Sequence, residues 1–115
     1  METLTEKQCQ ACEGGVPPLN AAQISDYKQQ LNTEWDVIQD DKWICRSYKF
    51  KNFKRTMEFA NQVTGVAEEE QHHPDLYITF GKCIVYLSTH AIGGLSENDF
   101  IMAAKIEKLH SAKPW

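Results

Sequence analysis

The sequence has 115 residues, of which 42% are hydrophobic and 24% charged, as is typical of one globular domain. Its formal net charge of −4 argues against direct nucleic-acid binding, because phosphate contacts require clustered Lys and Arg side chains. No apolar run approaches the about 20 residues that a membrane-spanning helix needs, and the N-terminus lacks the apolar core of a signal peptide. We therefore expect a cytoplasmic protein with no direct nucleic-acid or membrane partner.

Residues 1–19 are predicted to form a loosely structured N-terminal extension, followed by a single domain over 20–115. A glycine pair and a proline pair within the extension interrupt any helix or strand. Cys9 and Cys12 have the spacing of half a zinc knuckle, but no second cysteine or histidine pair follows nearby. Because nothing indicates export, we interpret all four cysteines as reduced thiols and predict no metal site.

The predicted elements alternate as helix, strand, strand, helix, strand, strand and helix. Aromatic and β-branched residues mark the strands, and apolar residues at helical spacing mark the helices. The predicted segments are 20–31, 35–39, 43–50, 53–70, 76–80, 83–89 and 96–110. Two hairpins separated by a long helix predict an α+β fold, in which a four-stranded antiparallel sheet has three helices packed on one face.

Two of these elements carry more detailed predictions. The helix over 53–70 has an apolar stripe wide enough to contact both a sheet and another helix. Its members are Phe53, Met57, Ala60, Thr64 and Ala67, widened by Phe59, Val63 and Val66. In the second hairpin, Gly81 and Lys82 are predicted to form a type II′ turn, which favours glycine at its first position.

The stretch EEEQHHPDLY, residues 69–78, contains two of the four histidines. His73 precedes Pro74, so its backbone favours extended geometry, in which adjacent side chains point opposite ways. His72 and His73 are therefore expected to have different roles. The glutamates before them end the predicted helix, where negative charge opposes the helix dipole. This pattern is typical either of a solvated, frayed helix end or of a functional site in which carboxylates favour charged imidazole.

His90 is a third candidate, at the end of the fourth predicted strand. If Val85 and Leu87 pack on the helices, alternation places His90 at the rim of the open face of the sheet. Asp99 follows Ser96 at the spacing of a capping box, so a structural role is expected, with an orienting role as an addition. The fourth histidine, near the C-terminus at position 110, is expected at the surface.

In combination these residues resemble the pterin-4a-carbinolamine dehydratases, also called 4a-hydroxytetrahydrobiopterin dehydratases. The matching pattern is Glu68-x3-His72-His73-Pro74, Phe80, Thr89-His90, Gly94-Leu95-Ser96 and Asp99. The resemblance extends from Trp35 to Leu109, about two-thirds of the chain. It implies the same α+β fold, and assembly into homodimers or homotetramers.

The resemblance also implies roles for individual residues. His72 and His90 would be the acid/base pair, and His73 would bind and orient the pterin. The residues expected to support them or to bind substrate are Glu68, Asp99, Trp35, Pro74, Thr89 and Ser88. The implied reaction dehydrates 4a-hydroxytetrahydropterin to quinonoid dihydropterin without a cofactor, and it supports tetrahydropterin recycling after an aromatic amino acid hydroxylase.

Two alternatives stay open at this point. Some members of the family also serve as dimerisation partners of a transcription factor, so the protein could be a non-catalytic binding module that uses the face Phe53–Ala67. Metal binding by the histidines with Cys9 and Cys12 is disfavoured, because the ligand spacing is poor. The pterin side chain, the preferred stereochemistry at C4a and the oligomeric state are not determined by the sequence.

Overall fold

The computed structural model describes residues 2–11 and 14–115, and its elements follow the predicted order. The helices are α1 (Ala21–Lys28), α2 (Phe53–Glu70) and α3 (Glu97–Ser111). The strands are β1 (Asp36–Ile38), β2 (Trp43–Lys49), β3 (Asp75–Thr79) and β4 (Lys82–Leu87). Two short 3-10 helices lie at Leu4–Glu6 and His90–Ile92. The predicted α+β fold is confirmed.

The strands form one antiparallel sheet in the order β1-β2-β4-β3, so its two central strands come from different hairpins. Along β4, Cys83, Val85 and Leu87 are fully buried, whereas the residues between them are half-buried. This alternation gives the sheet one face under the helices and one face free of them. The segment after β4 consequently leaves the sheet at its centre, next to the start of β2.

The long helix α2 has the predicted bounds, but its buried stripe is displaced around the helix axis. The buried residues are Thr56, Phe59, Ala60, Val63 and Ala67. Phe53 is 50% exposed and Thr64 is exposed, so the predicted stripe was wrong at these positions. Thr56 is buried without loss of hydrogen bonding, because its hydroxyl donates to the carbonyl oxygens of Asn52 and Phe80.

The turn of the second hairpin differs from the prediction. Thr79 pairs with Lys82, so the turn residues are Phe80 and Gly81, and neither has a positive φ. A type II′ turn is therefore excluded. Gly81 is needed for a close approach instead: a Cβ atom there would lie 2.9 Å from the carbonyl oxygen of Phe50.

The first hairpin turns through three successive left-handed residues. Gln39, Asp40 and Asp41 have φ angles of 56°, 55° and 63°. Left-handed backbone costs roughly 1–2 kcal/mol for each non-glycine residue, although Asp tolerates it better than most. The turn is tied to the rest of the fold, because the carbonyl oxygen of Lys42 accepts a hydrogen bond of 2.6 Å from the hydroxyl of Ser88.

The N-terminal extension is more ordered than its composition indicates. Thr3 and Glu6 form a capping box around the first 3-10 helix, and Leu4 is only 4% exposed. Lys105 of α3 donates a hydrogen bond to the carbonyl oxygen of Thr5. For residues 2–11 the expectation of loose structure was wrong, since tertiary contacts with α3 order the segment. The boundary between residues 19 and 20 stays a prediction.

Helix α1 is shorter than predicted and ends at Lys28. Asn20 caps its N-terminus, since the side-chain oxygen of Asn20 accepts a 2.9 Å hydrogen bond from the Gln23 amide. Within the described part of the chain, no helix is both long and apolar enough to cross a lipid bilayer.

Candidate active site

Three of the four histidines, His72, His73 and His90, line one cavity of about 490 Å³. Its walls come from the end of α2, the segment after β4, the start of α3 and the N-terminal segment, and they include Ser88 and Thr89. The volume lies within the range of about 300–1,000 Å³ that small-molecule sites occupy. A larger cavity of about 640 Å³ lies elsewhere and contains none of the predicted site residues.

The end of α2 orients the histidine pair. Gln71 adopts left-handed geometry, with φ 54° and ψ 39°, and its N–H group donates to the carbonyl oxygen of Ala67. The amide of His72 donates to the same oxygen at 3.2 Å. These bonds end the helix and turn the chain away from its axis. Pro74 then leads directly into β3, as the preference for extended backbone before proline predicts.

His72 is bound to a buried carboxylate. Its Nε2 atom lies 2.7 Å from Oδ1 of Asp99, which is completely buried. The other oxygen, Oδ2, accepts hydrogen bonds from the Thr89 hydroxyl at 2.8 Å and from the Ser96 amide at 3.0 Å. Asp99 therefore closes the predicted capping box of α3 and orients His72 at the same time.

His73 has a different partner and a different environment. Its Nε2 atom is in hydrogen-bond contact with Oε2 of Glu68, one turn back on α2. The two side chains are 56% and 65% exposed, whereas that of His72 is 12% exposed. Adjacent histidines thus reach separate carboxylates, in agreement with the divergence expected from an extended backbone.

His90 begins the 3-10 helix after β4 and is exposed. Its ring packs edge-to-face on Trp43, with the ring centroids 5.5 Å apart. Trp35, the tryptophan expected at the pocket, lies in the core and packs against Tyr48 instead, outside the cavity lining. Sequence reasoning missed Trp43, because the pairing of β2 with β4, not local sequence, brings it to His90.

The three glutamates at the end of α2 have three different environments. Glu68 contacts His73, Glu69 lines the cavity, and Glu70 accepts a 2.8 Å hydrogen bond from the amide of Cys9. The negative charge that opposes the helix dipole is therefore used in two tertiary contacts. The contact with Cys9 had no signal in the local sequence.

A family model described as Pterin 4 alpha carbinolamine dehydratase matches residues 17–109. This chain belongs to the pterin-4a-carbinolamine dehydratase family. The matched region of this family member contains all nine predicted site residues and begins after the N-terminal segment that lines the cavity.

Relatives of this dehydratase-family protein match nearly the whole chain. A protein of Legionella pneumophila (strain Corby) is 48% identical over 106 residues, covering 92% of this chain and 94% of its own length. One of Rickettsia canadensis (strain McKiel) is 49% identical over 107 residues, covering 93% and 97%. Both are provisionally named pterin-4-alpha-carbinolamine dehydratases.

Solved structures support the same fold. The transcriptional coactivator/pterin dehydratase from Brucella melitensis has a TM-score of 0.75 and 29% identity, covering 80% of this chain and 97% of its own. A pterin dehydratase-like RuBisCO assembly factor of the alpha-carboxysome has a TM-score of 0.60 and 16% identity, covering 70% and 93%. At that identity the second likeness concerns the fold alone.

The cysteines of this family member show no feature of a reactive site in the described residues. Burial, and then the nearby Glu70 carboxylate, raise the pKa of Cys9 to about 12. Burial also raises the pKa of Cys83 to about 11. Both therefore stay protonated at neutral pH and are poor nucleophiles. Cys12 lies outside the described residues.

Among residues 2–11 and 14–115, no group of three His, Cys, Asp or Glu side chains is arranged for a metal ion.

Proposed function

We propose that this protein catalyses the dehydration of a 4a-hydroxytetrahydropterin to quinonoid dihydropterin and water. One observation carries the proposal. Three imidazoles from two separate segments line a single cavity, and one of them, His72, is oriented by a fully buried carboxylate. Family membership supplies the substrate class. The residues supply groups that exchange protons near neutral pH, which this reaction requires.

The reaction breaks the bond between C4a and its hydroxyl oxygen and removes the proton on ring nitrogen N5. The departing hydroxyl needs a proton, and N5 needs a base. His72 and His90 are the proposed acid/base pair, and each well-placed group contributes about 10²–10⁴-fold in rate. Asp99 occupies Nε2 of His72, so Nδ1 of that ring is the atom proposed to exchange a proton with the substrate.

The other predicted site residues have supporting roles in this proposal. His73 binds and orients the pterin, with Glu68 fixing its ring. Thr89 positions Asp99, and Ser88 ties the end of β4 to the first hairpin. Pro74 fixes the direction in which the chain leaves the histidine pair. None of these steps needs a metal or a cofactor.

The chemistry also indicates which reactions precede and follow this dehydration. Hydroxylated tetrahydropterins are products of enzymes that hydroxylate aromatic amino acids with oxygen, and quinonoid dihydropterin is restored to tetrahydropterin by reduction. We therefore propose a functional link to an aromatic amino acid hydroxylase. We also propose that the protein is a homodimer or homotetramer, in line with the resemblance.

The test is a stopped-flow ultraviolet assay in which a 4a-hydroxytetrahydropterin is generated in situ and its decay is followed. The wild-type protein should accelerate the decay, and His72→Ala and His90→Ala should each lower the acceleration by about 10²-fold or more. His110→Gln is the matched control, because His110 lies outside the cavity. Undiminished acceleration in both alanine variants would end the proposal.

A non-catalytic binding module is the second candidate, and one observation favours it. Phe53 and Phe80 are 50% and 69% exposed, and the hydrogen bond from Thr56 to Phe80 joins their two segments. Exposed aromatic side chains on two adjoining segments are typical of a contact surface. Cross-linking of the protein to a partner that is lost in Phe53→Ser, together with absent dehydratase activity, would favour this candidate.

A further inference from the structure

Residues 2–11, here called the N-terminal strap, are fastened along α3. Leu4 is buried, and Lys105 donates to the carbonyl oxygen of Thr5 at 3.1 Å. Further along, Lys7 forms a 2.8 Å ion pair with Glu97, whose carboxylate also accepts the hydroxyl of Tyr27. These contacts join the strap to both α1 and α3. The strap therefore has a defined position over the helical layer.

The strap is fixed most closely where it reaches the histidine cavity. The amide of Cys9 donates to Oε1 of Glu70 at 2.8 Å, and the Glu70 side chain is only 6% exposed. The amide of Gln10 donates to Oδ1 of Asn98 at 3.0 Å, and Nδ2 of Asn98 donates back to the carbonyl oxygen of Gln10 at 2.7 Å. Asn98 is 6% exposed and Gln10 is exposed, so this reciprocal pair is shielded from water on the Asn98 side only.

The residues that fix the strap are neighbours of those that orient the histidines. On α3, Asp99 binds His72 and the preceding Asn98 binds the strap. On α2, Glu68 binds His73 and Glu70, two residues later, binds the strap. The same two helix ends thus position the imidazoles and the strap. A shift of either helix end would displace both.

We propose that Cys9–Ala11 of the strap form a substrate-contacting wall of the histidine cavity, and that Glu70 and Asn98 are positioning residues for this wall. Cys9, Gln10 and Ala11 line the same cavity as the three histidines. The amides of Cys9 and Gln10 and the Gln10 carbonyl oxygen are bonded to Glu70 and Asn98, so they hold the wall in place. The carboxamide oxygen of Gln10 is the group proposed to bind the substrate. That the substrate of this cavity is a pterin rests on the proposed function. The wall binds the substrate and does not exchange protons.

A wall that only binds substrate has a distinctive kinetic signature. Loss of binding that is equal in the ground state and the transition state raises KM and leaves kcat unchanged. If the strap only stabilised the fold, its release would lower the melting temperature without changing KM. The two roles therefore separate in a steady-state assay of folded protein.

The experiment uses three full-length variants. Asn98→Ala removes the reciprocal pair, and Glu70→Gln weakens the bond to Cys9. Gln10→Pro removes both the Gln10 N–H donor and its carboxamide without altering the helices. Asn61→Ala, on the exposed side of α2, is the matched control. Hydrogen exchange of the Cys9 amide reports strap release in all three, and that of the Gln10 amide does so in the first two. Released strap should raise KM by about 3- to 30-fold with kcat within about twofold of wild type, and Asn61→Ala should match wild type.

A binding titration separates this proposal from the proposed function. The probe is 7,8-dihydrobiopterin, an unreactive pterin, followed by fluorescence. Weaker probe binding in the variants, with no dehydration by wild type, would support the wall and overturn the reaction. The wall would be overturned if the wild type is active and the variants keep its KM and probe binding although hydrogen exchange shows that their strap is released. Wild type that neither binds the probe nor dehydrates would overturn both.

Discussion

His72 and His73 are neighbours in sequence, but they occupy opposite environments in the structure. His72 lies against Asp99, with side-chain exposures of 12% and 0%. His73 lies against Glu68, with exposures of 56% and 65%. The difference arises because successive side chains of an extended segment point to opposite sides. One of them meets the start of α3, and the other meets the surface of α2.

The two carboxylates also differ in how they are held. Asp99 binds His72, Thr89 and the Ser96 amide, so its position is set by three groups. Among the described residues, the Glu68 side chain has one such contact, to His73. An exposed ion pair contributes about 0–1 kcal/mol, whereas removal of one partner from a buried pair costs about 3–5 kcal/mol. The two adjacent histidines are therefore expected to respond very differently when the carboxylate that each contacts is substituted.

The largest effect is expected for Asp99→Asn. The new amide cannot accept all three hydrogen bonds, so His72 loses its orientation and α3 loses part of its cap. We expect the dehydration rate to fall by about 10- to 100-fold and the free energy of unfolding by about 2–4 kcal/mol. Urea unfolding and the stopped-flow assay measure the two effects. A variant with full stability and activity would show that Asp99 does not hold His72.

The next effect extends the comparison to the third histidine. His90 has no carboxylate contact in the described residues, and its ring packs on Trp43 instead. Trp43→Ala should lower the dehydration rate by about 2- to 10-fold, since an aromatic pair contributes about 0.5–1.5 kcal/mol. Trp43→Phe should retain most of the activity. Equal losses in both variants would show that the tryptophan ring has another role.

A smaller effect is expected for Glu68→Gln, the counterpart of Asp99→Asn at the exposed pair. Its activity should fall by less than about threefold, because both partners are accessible to water and salt. The wild-type rate should approach that of the variant as salt is added. If this substitution is as damaging as Asp99→Asn, the contrast between the two histidines is wrong.

The smallest effect concerns His110, which, like His90, has no carboxylate contact within the part of the chain that the structure describes. His110 packs among Tyr48, Phe59 and Trp115, so its expected surface position was only partly correct. Burial, followed by the charge of Arg46, lowers the pKa of His110 below its usual 6.5, while the Glu34 carboxylate acts in the opposite direction.

The sign of the pH effect follows from proton binding. Below about pH 6.5 the unfolded chain binds a proton at His110 more readily than the folded protein does. The His110 contribution to stability is therefore complete above that pH and is lost as the pH falls through the lower, folded pKa. Thermal unfolding between about pH 8 and about pH 5 should show a shallower loss in His110→Gln than in wild type. Parallel curves would contradict this assignment.

Features set by local sequence were predicted well. The bounds of α2, residues 53–70, were predicted from apolar spacing. The capping box of Ser96 and Asp99 follows from residue type and spacing. Strand β1 is shorter than predicted, because left-handed backbone begins at Gln39. Even this error is confined to the element ends, where local signals compete.

Features set by contacts between distant segments were predicted poorly. Trp35 and Trp43 each begin a predicted strand, and only strand pairing shows that Trp43 reaches His90. The strap looks unstructured by composition, and its order depends on residues about 60 to 90 positions away, such as Glu70 and Asn98.

The sequence by itself determined the α+β order of elements, the helix caps and the divergence of His72 and His73, because each depends on backbone preferences within a few residues. The tertiary structure alone decided which carboxylate each histidine meets, which tryptophan contacts His90 and which segment encloses the cavity. These choices depend on sheet register and helix packing, which bring together residues from distant parts of the chain. Local pattern carries no information about such distances.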